Sequence, residues 1–236
     1  MNIVGLLRAR SGNDLPDKHL RMVGDRMLVE VARDNMLDSL PPSAFVYCTS
    51  NDDRILELGN MTGIKRPEEL AAPGSQDIDH LMHALDWIEE RINLTVDTLV
   101  VYGGNCVSVE PEQVRDALSM LHDWSPRPTA VVPVCNSAAH HPWRAKAIDD
   151  AGWLVPAVTC CKGPISTSRQ DLAPVYELCH SFWVLDVATS LRGEPGHPPW
   201  TFMGARVMPL YVDGCCDVHD EEDLQRAAWW VGKGRA

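Results

Sequence analysis

The sequence predicts an α/β fold in which a mainly parallel sheet is covered by helices on both faces. Residues 3–7, 45–48 and 98–102 are short, continuous apolar runs with turn residues behind them, as strands buried on both faces require. Between the runs, apolar residues recur at helical spacing. Strand and helix therefore alternate, and that order leads to parallel pairing through right-handed crossovers.

The elements follow in chain order. IVGLL is the first strand and runs into the loop RARSGNDLPDK. Met27, Val31 and Met36 then sit at roughly helical spacing, and Pro41-Pro42 stops that helix. FVYC is the second strand. Ile78, Leu81, Met82, Leu85 and Ile88 make an amphipathic stripe ahead of the third strand, TLVVY. Pro111 stands near the start of a helix over residues 111–121, with Val114, Leu118 and Leu121 on one face.

Residues 130–135 are a fourth apolar run. Residues 136–164, rich in Pro, Trp, His and Gly, hold another apolar segment at 153–159 and read as an inserted hairpin or arm. Two further strands are expected at 182–185 and 206–212, and an acidic-capped helix from about 220 to 231 closes the chain. With no repeats, low-complexity tracts or flexible linkers, residues 1–236 form one expected domain that carries the arm.

The chain has 236 residues, 45% of them apolar and 23% charged, enough for one sizeable core. Its formal net charge of -12, with no run of Lys or Arg, argues against nucleic acid and anionic membrane as partners. The apolar stretch in MNIVGLLRARSGND is too short for a signal peptide or a span, so a soluble, cytoplasmic protein is expected. Eight cysteines are scattered, and the pairs Cys160/Cys161 and Cys215/Cys216 lack C-x-x-C spacing; reduced, mostly buried thiols are expected rather than a metal knuckle. The nine histidines show no zinc spacing, and adjacent His140 and His141 would face opposite sides of a strand.

In open α/β sheets ligands bind at the carboxyl ends of the strands, which directs attention to RARSGNDLPDK, TSNDD and GGNCVS. The first of these places small residues between cations and can offer backbone N–H groups and fixed positive charge to a triphosphate. On composition alone it reads equally as an ordinary turn with solvated Arg and Lys. Neither G-x-x-x-x-G-K-S/T nor G-x-G-x-x-G is present, which removes support for P-loop and dinucleotide readings.

IVGLLRARSGNDLPDKHL resembles the opening signature of the acylneuraminate cytidylyltransferases, the sialic acid and Kdo enzymes, where a strand enters an A-R-x-G-S-K-G-x-P-x-K-N pattern. RPEELAAPGSQDIDHLMHALDWIEE is similar to the family's R-P-x-x-L-A stretch and S-I-D-x-x-x-H-A-L-E helix. HHPWRAKAIDDAGWLVPA is similar to its acceptor-side arm, SRQDLAPVYELCHSFWVL to R-Q-x-L-P-x-x-Y-x-x-N-G-A, and CDVHDEEDLQRAAWWV to V-D-I-D-x-x-x-D-L-x-x-A. Five segments in the right order cover most of the chain.

The resemblance implies a Rossmann-like, GT-A-like three-layer sandwich with a small dimerisation arm. It also implies transfer of CMP from CTP to a nonulosonic acid, a Kdo-like sugar or a similar acid, with release of pyrophosphate and dependence on Mg2+. Arg10 and Lys18 match the cations that hold the CTP phosphates, with Ala9, Ser11 and Gly12 lending the loop backbone. Asn105 falls in the segment lining the nucleotide and acceptor site, Arg169 and Gln170 match an acceptor-binding pair, and Asp217 matches the first aspartate of a magnesium-holding D-x-D. Read without the resemblance, Asp217 is a helix N-cap or first-turn acid beside Asp220, Glu221 and Glu222. Trp143, Trp153, His140 and His141 of the arm would stack on substrate or, better, line the interface of a homodimer, since the family arm reaches a neighbouring active site.

Four departures stand out. The loop lysine is missing, with Asn13-Asp14 in its place; His219 replaces the second aspartate, so that Asp213 or Asp220 substitutes or a single protein carboxylate contacts the metal; GGNCVSVEP stands for Q-P-T-S-P-L-R; and Cys179-His180-Ser181 stands for N-G-A. They fall mostly on the acceptor and metal sides and keep three alternatives open: a phosphonate acceptor, another nucleotide such as GTP, and a degenerate nucleotide-binding scaffold.

Overall fold

A computed structural model describes residues 1–12, 14–160 and 163–233; Asn13 of the loop and Cys161 of the cysteine pair lie outside the described residues. In chain order come β1 (Ile3–Arg8), a hairpin of β2 (Met22–Val23) and β3 (Arg26–Met27), α1 (Leu28–Ser39), β4 (Phe45–Ser50), the single turn α2 (Asp53–Leu56) and β5 (Thr62–Lys65). These are followed by α3 (Asp77–Ile92), β6 (Thr98–Gly103), α4 (Pro111–Asp123), β7 (Ala130–Asn136) and a second hairpin, β8 (Lys146–Ile148) with β9 (Leu154–Pro156). The chain ends with β10 (Tyr176–Leu178), β11 (Phe182–Asp186), β12 (Val207–Tyr211) and α5 (Glu221–Lys233).

Eight strands form the main sheet. β1 lies between β6 and β4, parallel to both, and β5 continues beside β4, also parallel. On the far side of β6 the sense changes: β11 pairs antiparallel with β6 and β7, β10 antiparallel with β7, while β12 runs parallel to β7. The sheet is thus mixed, with parallel pairing concentrated in the half that precedes β7.

Alternation along the strands assigns the two faces. Leu7, Val100, Tyr102 and Val184 meet α1 and α4 through Val29, Met36, Val114, Ala117 and Leu121. Val4, Leu6, Leu99, Val101 and Trp183 meet α3 through Leu81, Ala84, Leu85 and Ile88. A third cluster joins Leu224 and Ala227 of α5 to Val23, Leu28, Val31 and Val218, so the last helix seals the first hairpin. Helices therefore cover both faces, giving three layers.

The caps follow local chemistry. Pro111 opens α4, where its missing N–H costs nothing, and Glu110 N–H donates to Gln113 Oε1 at 3.2 Å in a capping box. α3 ends at Asn93, whose left-handed backbone (φ 52°) is one of the few that a non-glycine residue adopts readily. β5 and β10, only four and three residues long, carry no apolar run from which they could be read, and register with β4 and β7 is what makes them strands. His140 and His141 fall in short 3-10 turns rather than on a strand, yet they do separate, His141 buried and His140 exposed. All described cysteines are free: Cys48, Cys106 and Cys179 are buried, Cys135, Cys215 and Cys216 half-buried, and Cys160 exposed. No helix among the described residues is long and apolar enough to cross a membrane.

The packing of α3 on the sheet gives the first prediction. Leu85 is fully buried, so Leu85→Ala should lower stability by about 2–5 kcal/mol in urea unfolding. Leu94→Ala, at a position 47% exposed just after the same helix, should leave the midpoint nearly unchanged.

Candidate functional site

The carboxyl ends of β1 and β6 open into one cleft of about 530 Å³. Its position follows from a close approach of backbones. Gly104, directly after β6, donates its N–H to Arg8 O at 2.9 Å, and a Cβ at Gly104 would lie 2.9 Å from that oxygen and 3.2 Å from both Ala9 Cβ and His19 Cδ2. Only glycine lets the two strand ends meet so closely. The meeting brings Arg8, Ala9 and Arg10 beside Asn105.

Asn105 in turn recruits the segment ahead of α5. Its Nδ2 donates to Asp217 Oδ1 and, at 3.3 Å, to Val218 O, while Val218 N–H donates to Asn105 O at 3.0 Å. Asp217 does not cap α5: that role belongs to Asp220, whose Oδ1 accepts from Asp223 N–H at 2.9 Å. Asp217 instead turns into the cleft with His219, whose Nε2 lies 3.2 Å from Asp217 Oδ2.

Of the residues singled out from sequence, Ala9, Arg10, Gly12, Lys18, Asn105 and Asp217 line this cleft. Ser11 supports the loop from behind: its N–H donates to Asn51 Oδ1 at 3.0 Å, and Asn51 Nδ2 donates to Ser11 Oγ at 2.8 Å. Ala9 N–H is likewise taken, by Thr49 O at 3.2 Å. Gly12, with φ 75°, remains on the cleft side. The TSNDD segment, which ends β4 and follows it, thus shapes the loop instead of lining the cleft. Arg169 and Gln170 stand on an exposed 3-10 turn after the arm, outside the set that lines the cleft.

Sequence reading missed Arg8, His19, Arg66, Asp77 and His80 as cleft residues, and it marked His180 and His219, which also line the cleft, only as departures from the family pattern. Arg8 is the last residue of β1; its Nη1 donates to Asp77 Oδ1 at 2.6 Å, and its guanidinium lies 4.1 Å from the centre of the Trp183 ring. Arg66 follows β5 and is buried, donating to Thr49 O at 3.1 Å. The available signal was Arg66 and Asp77 within the segment RPEELAAPGSQDID, but nothing in the sequence alone joins them to Arg8.

The electrostatics are opposite to those of the whole chain. Arg8, Arg10, Lys18 and Arg66 share the cleft with Asp14, Asp77 and Asp217. Burial pulls the Lys18 ammonium down from its usual range, against the opposing pull of Asp217, and pulls Arg66 down to about 10. Burial also drives His19 to about 3 and His80 to about 2, so both imidazoles are neutral near pH 7 and add no repulsion. His80 Nε2 and His19 Nδ1 have no hydrogen-bond partner among the described residues. Cations with reduced hydration, sharing a cleft with neutral imidazoles, are arranged for an anionic ligand.

No family model matches the chain, and no curated protein sequence matches it. Solved structures do match. A CMP:2-keto-3-deoxy-manno-octonic acid synthetase complexed with CTP superposes with a TM-score of 0.70 at 15% identity, over 99% of this chain and 100% of that one. A 4-diphosphocytidyl-2C-methyl-D-erythritol synthase from Anaerococcus prevotii DSM 20548 gives 0.61 at 14% identity, over 98% and 96%. Rv0371C of Mycobacterium tuberculosis H37Rv, in a complex with manganese, gives 0.55 at 15% identity, over 97% and 99%. At such identities the likeness is one of fold: along nearly its full length, the chain has the α/β fold of the CMP:2-keto-3-deoxy-manno-octonic acid synthetase.

Proposed function

We propose that the protein is a CTP-dependent nucleotidyltransferase that transfers CMP to a small acidic acceptor and releases pyrophosphate. The observation that carries this reading is the convergence of Arg10, Lys18 and Gly12 on the same cleft as Asn105 and Asp217, with cations from the first loop facing a carboxylate from the last. The solved neighbours support it, since one holds CTP and is a CMP-transferring synthetase by name.

In this reading Lys18 and Arg10 bind the triphosphate. Lys18 is 7% exposed, so its ammonium is fixed in place, and Arg10 is anchored through Nη1 to Ala71 O at 2.9 Å. Fixed cations lower the barrier by stabilising charge as it moves onto the leaving pyrophosphate, without reorganising. An acceptor oxygen attacks the α-phosphorus in line, and most of the rate comes from positioning. Asp217, oriented by Asn105, would hold a divalent cation, magnesium in the resembling family; when bound, the cation neutralises phosphate charge. Arg8 and His180 line the acceptor side. The acceptor is a sugar acid of the nonulosonic or Kdo-like type, or a phosphonate.

We further read the arm as a dimer contact. Ile148, Trp153 and Leu154 on the β8–β9 hairpin are each more than 70% exposed, an apolar surface suited to a second copy. Arg169 and Gln170 meet an acceptor only if the arm region of one copy reaches the cleft of the other. A soluble, cytoplasmic enzyme is the setting in which CTP would be available.

Pyrophosphate release from each of the four nucleoside triphosphates, with magnesium or manganese and a panel of sugar acids and phosphonates, tests the reading. Release with CTP and one acceptor is expected. Absence of release across the panel, with CTP still binding, would favour the scaffold alternative. Arg10→Ala should weaken CTP binding by about 10-fold or more in calorimetry, the worth of a charge-assisted bond. Asp217→Ala should lower metal-dependent turnover by on the order of 100-fold while leaving the fold intact by circular dichroism. Trp153→Asp should shift the protein toward monomer in sedimentation.

A further inference from the structure

We propose that His219 is the second protein ligand of the divalent cation at Asp217, and that it turns the site's preference from magnesium toward a first-row transition-metal ion such as manganese. This rests on the reading of Asp217 as a metal ligand and deepens it.

The geometry points to His219 over the two acids that would otherwise substitute for a second aspartate. Asp220 is committed to capping α5 through its Oδ1, and Asp213 does not line the cleft. His219 lines it, with Nε2 3.2 Å from Asp217 Oδ2. Two donors in adjacent corners of an octahedron, each about 2.1 Å from the metal, lie about 3 Å apart, so one ion can take both side chains with little movement of either, in place of the direct contact between them. The backbone fixes the arrangement: His219 N–H donates to Asp223 Oδ2 at 3.0 Å, locking the residue to the first turn of α5. Asp217 is held from the other side by Asn105, the outer hydrogen bond that a ligating carboxylate usually has. As a mere ion pair the contact would contribute little, because the imidazole is 69% exposed.

The donor types then decide the ion. Magnesium takes oxygen ligands and gives up water reluctantly, whereas imidazole suits zinc, copper, iron and nickel best, and manganese, mainly an oxygen-binding ion, still accepts it more readily than magnesium does. A nitrogen–oxygen pair therefore favours manganese or its neighbours over magnesium. Among the described residues no group of three or more His, Cys, Asp or Glu side chains is placed to hold a metal, so the ion needs further oxygens. Triphosphate oxygens supply them, and metal and CTP should bind together.

The test uses the full chain with Mn2+ and CTP. Bound and free Mn2+ are followed by electron paramagnetic resonance, and nitrogen coupling to the ion by pulsed measurements. The wild type should bind Mn2+ tightly only with CTP present and should show imidazole nitrogen coupling. His219→Ala should lose that coupling and about 10-fold in Mn2+ affinity, and His219→Asp should move the Mn2+/Mg2+ affinity ratio about 10-fold toward magnesium. Coupling that persists in His219→Ala, or an unchanged ratio in His219→Asp, would overturn the proposal. Asp217→Ala separates the two ideas: wild-type Mn2+ binding there sinks the reading of Asp217 itself. Loss there, with His219 variants behaving as wild type, sinks only the role of His219. A cooperative melting transition at the wild-type temperature in metal-free buffer shows that each variant is folded.

Discussion

The pairing of Asn105 with the segment around Asp217 holds the cleft together. It joins positions 112 and 113 residues apart, with Asn105 giving its side chain to Asp217 and Val218 and its carbonyl to Val218 N–H. Cys216 N–H adds a bond to Ser108 Oγ at 2.8 Å, so the C-terminal segment is sewn along the loop that leaves β6. Without this seam α5 would still pack on the first hairpin through Leu224 and Ala227, but Asp217 would not be turned toward the cations of the first loop. Hydrophobic burial sets where α5 lies, and hydrogen bonding sets which way its leading residues point.

Charge placement follows from the same geometry. A chain of net charge -12 keeps most of its surface acidic, yet the ends of β1 and β5 and the first loop concentrate Arg8, Arg10, Lys18 and Arg66 in a single cleft. Desolvation raises the free energy of Arg8, Lys18 and Arg66, and three of the four cations have a fixed counterpart: Asp77 for Arg8, the Thr49 carbonyl for Arg66, the Ala71 carbonyl for Arg10. Neutral His19 and His80 fill the space between without adding charge. A site so arranged spends little on reorganisation when a polyanion enters.

The sequence by itself determined the buried strands β1, β4, β6 and β7 and the helices α1, α3, α4 and α5, because continuous apolar runs and 3.6-residue stripes are local signals. Its resemblance to the cytidylyltransferases also singled out Arg10, Lys18, Asn105 and Asp217, four residues that the structure gathers on one cleft. Tertiary structure decided the rest. The antiparallel insertion of β11 beside β6 and the strand status of β5 and β10 depend on partners distant in the chain. So does the change of Ser11 from a ligand-facing residue to a brace against Asn51. Arg8 and His80 carry no local pattern that marks them, and they belong to the site because the ends of β1 and β6 meet at Gly104 and α3 packs beside them. Periodicity along a chain reports what is buried; which buried or half-buried groups share a cleft is a property of contacts between distant segments.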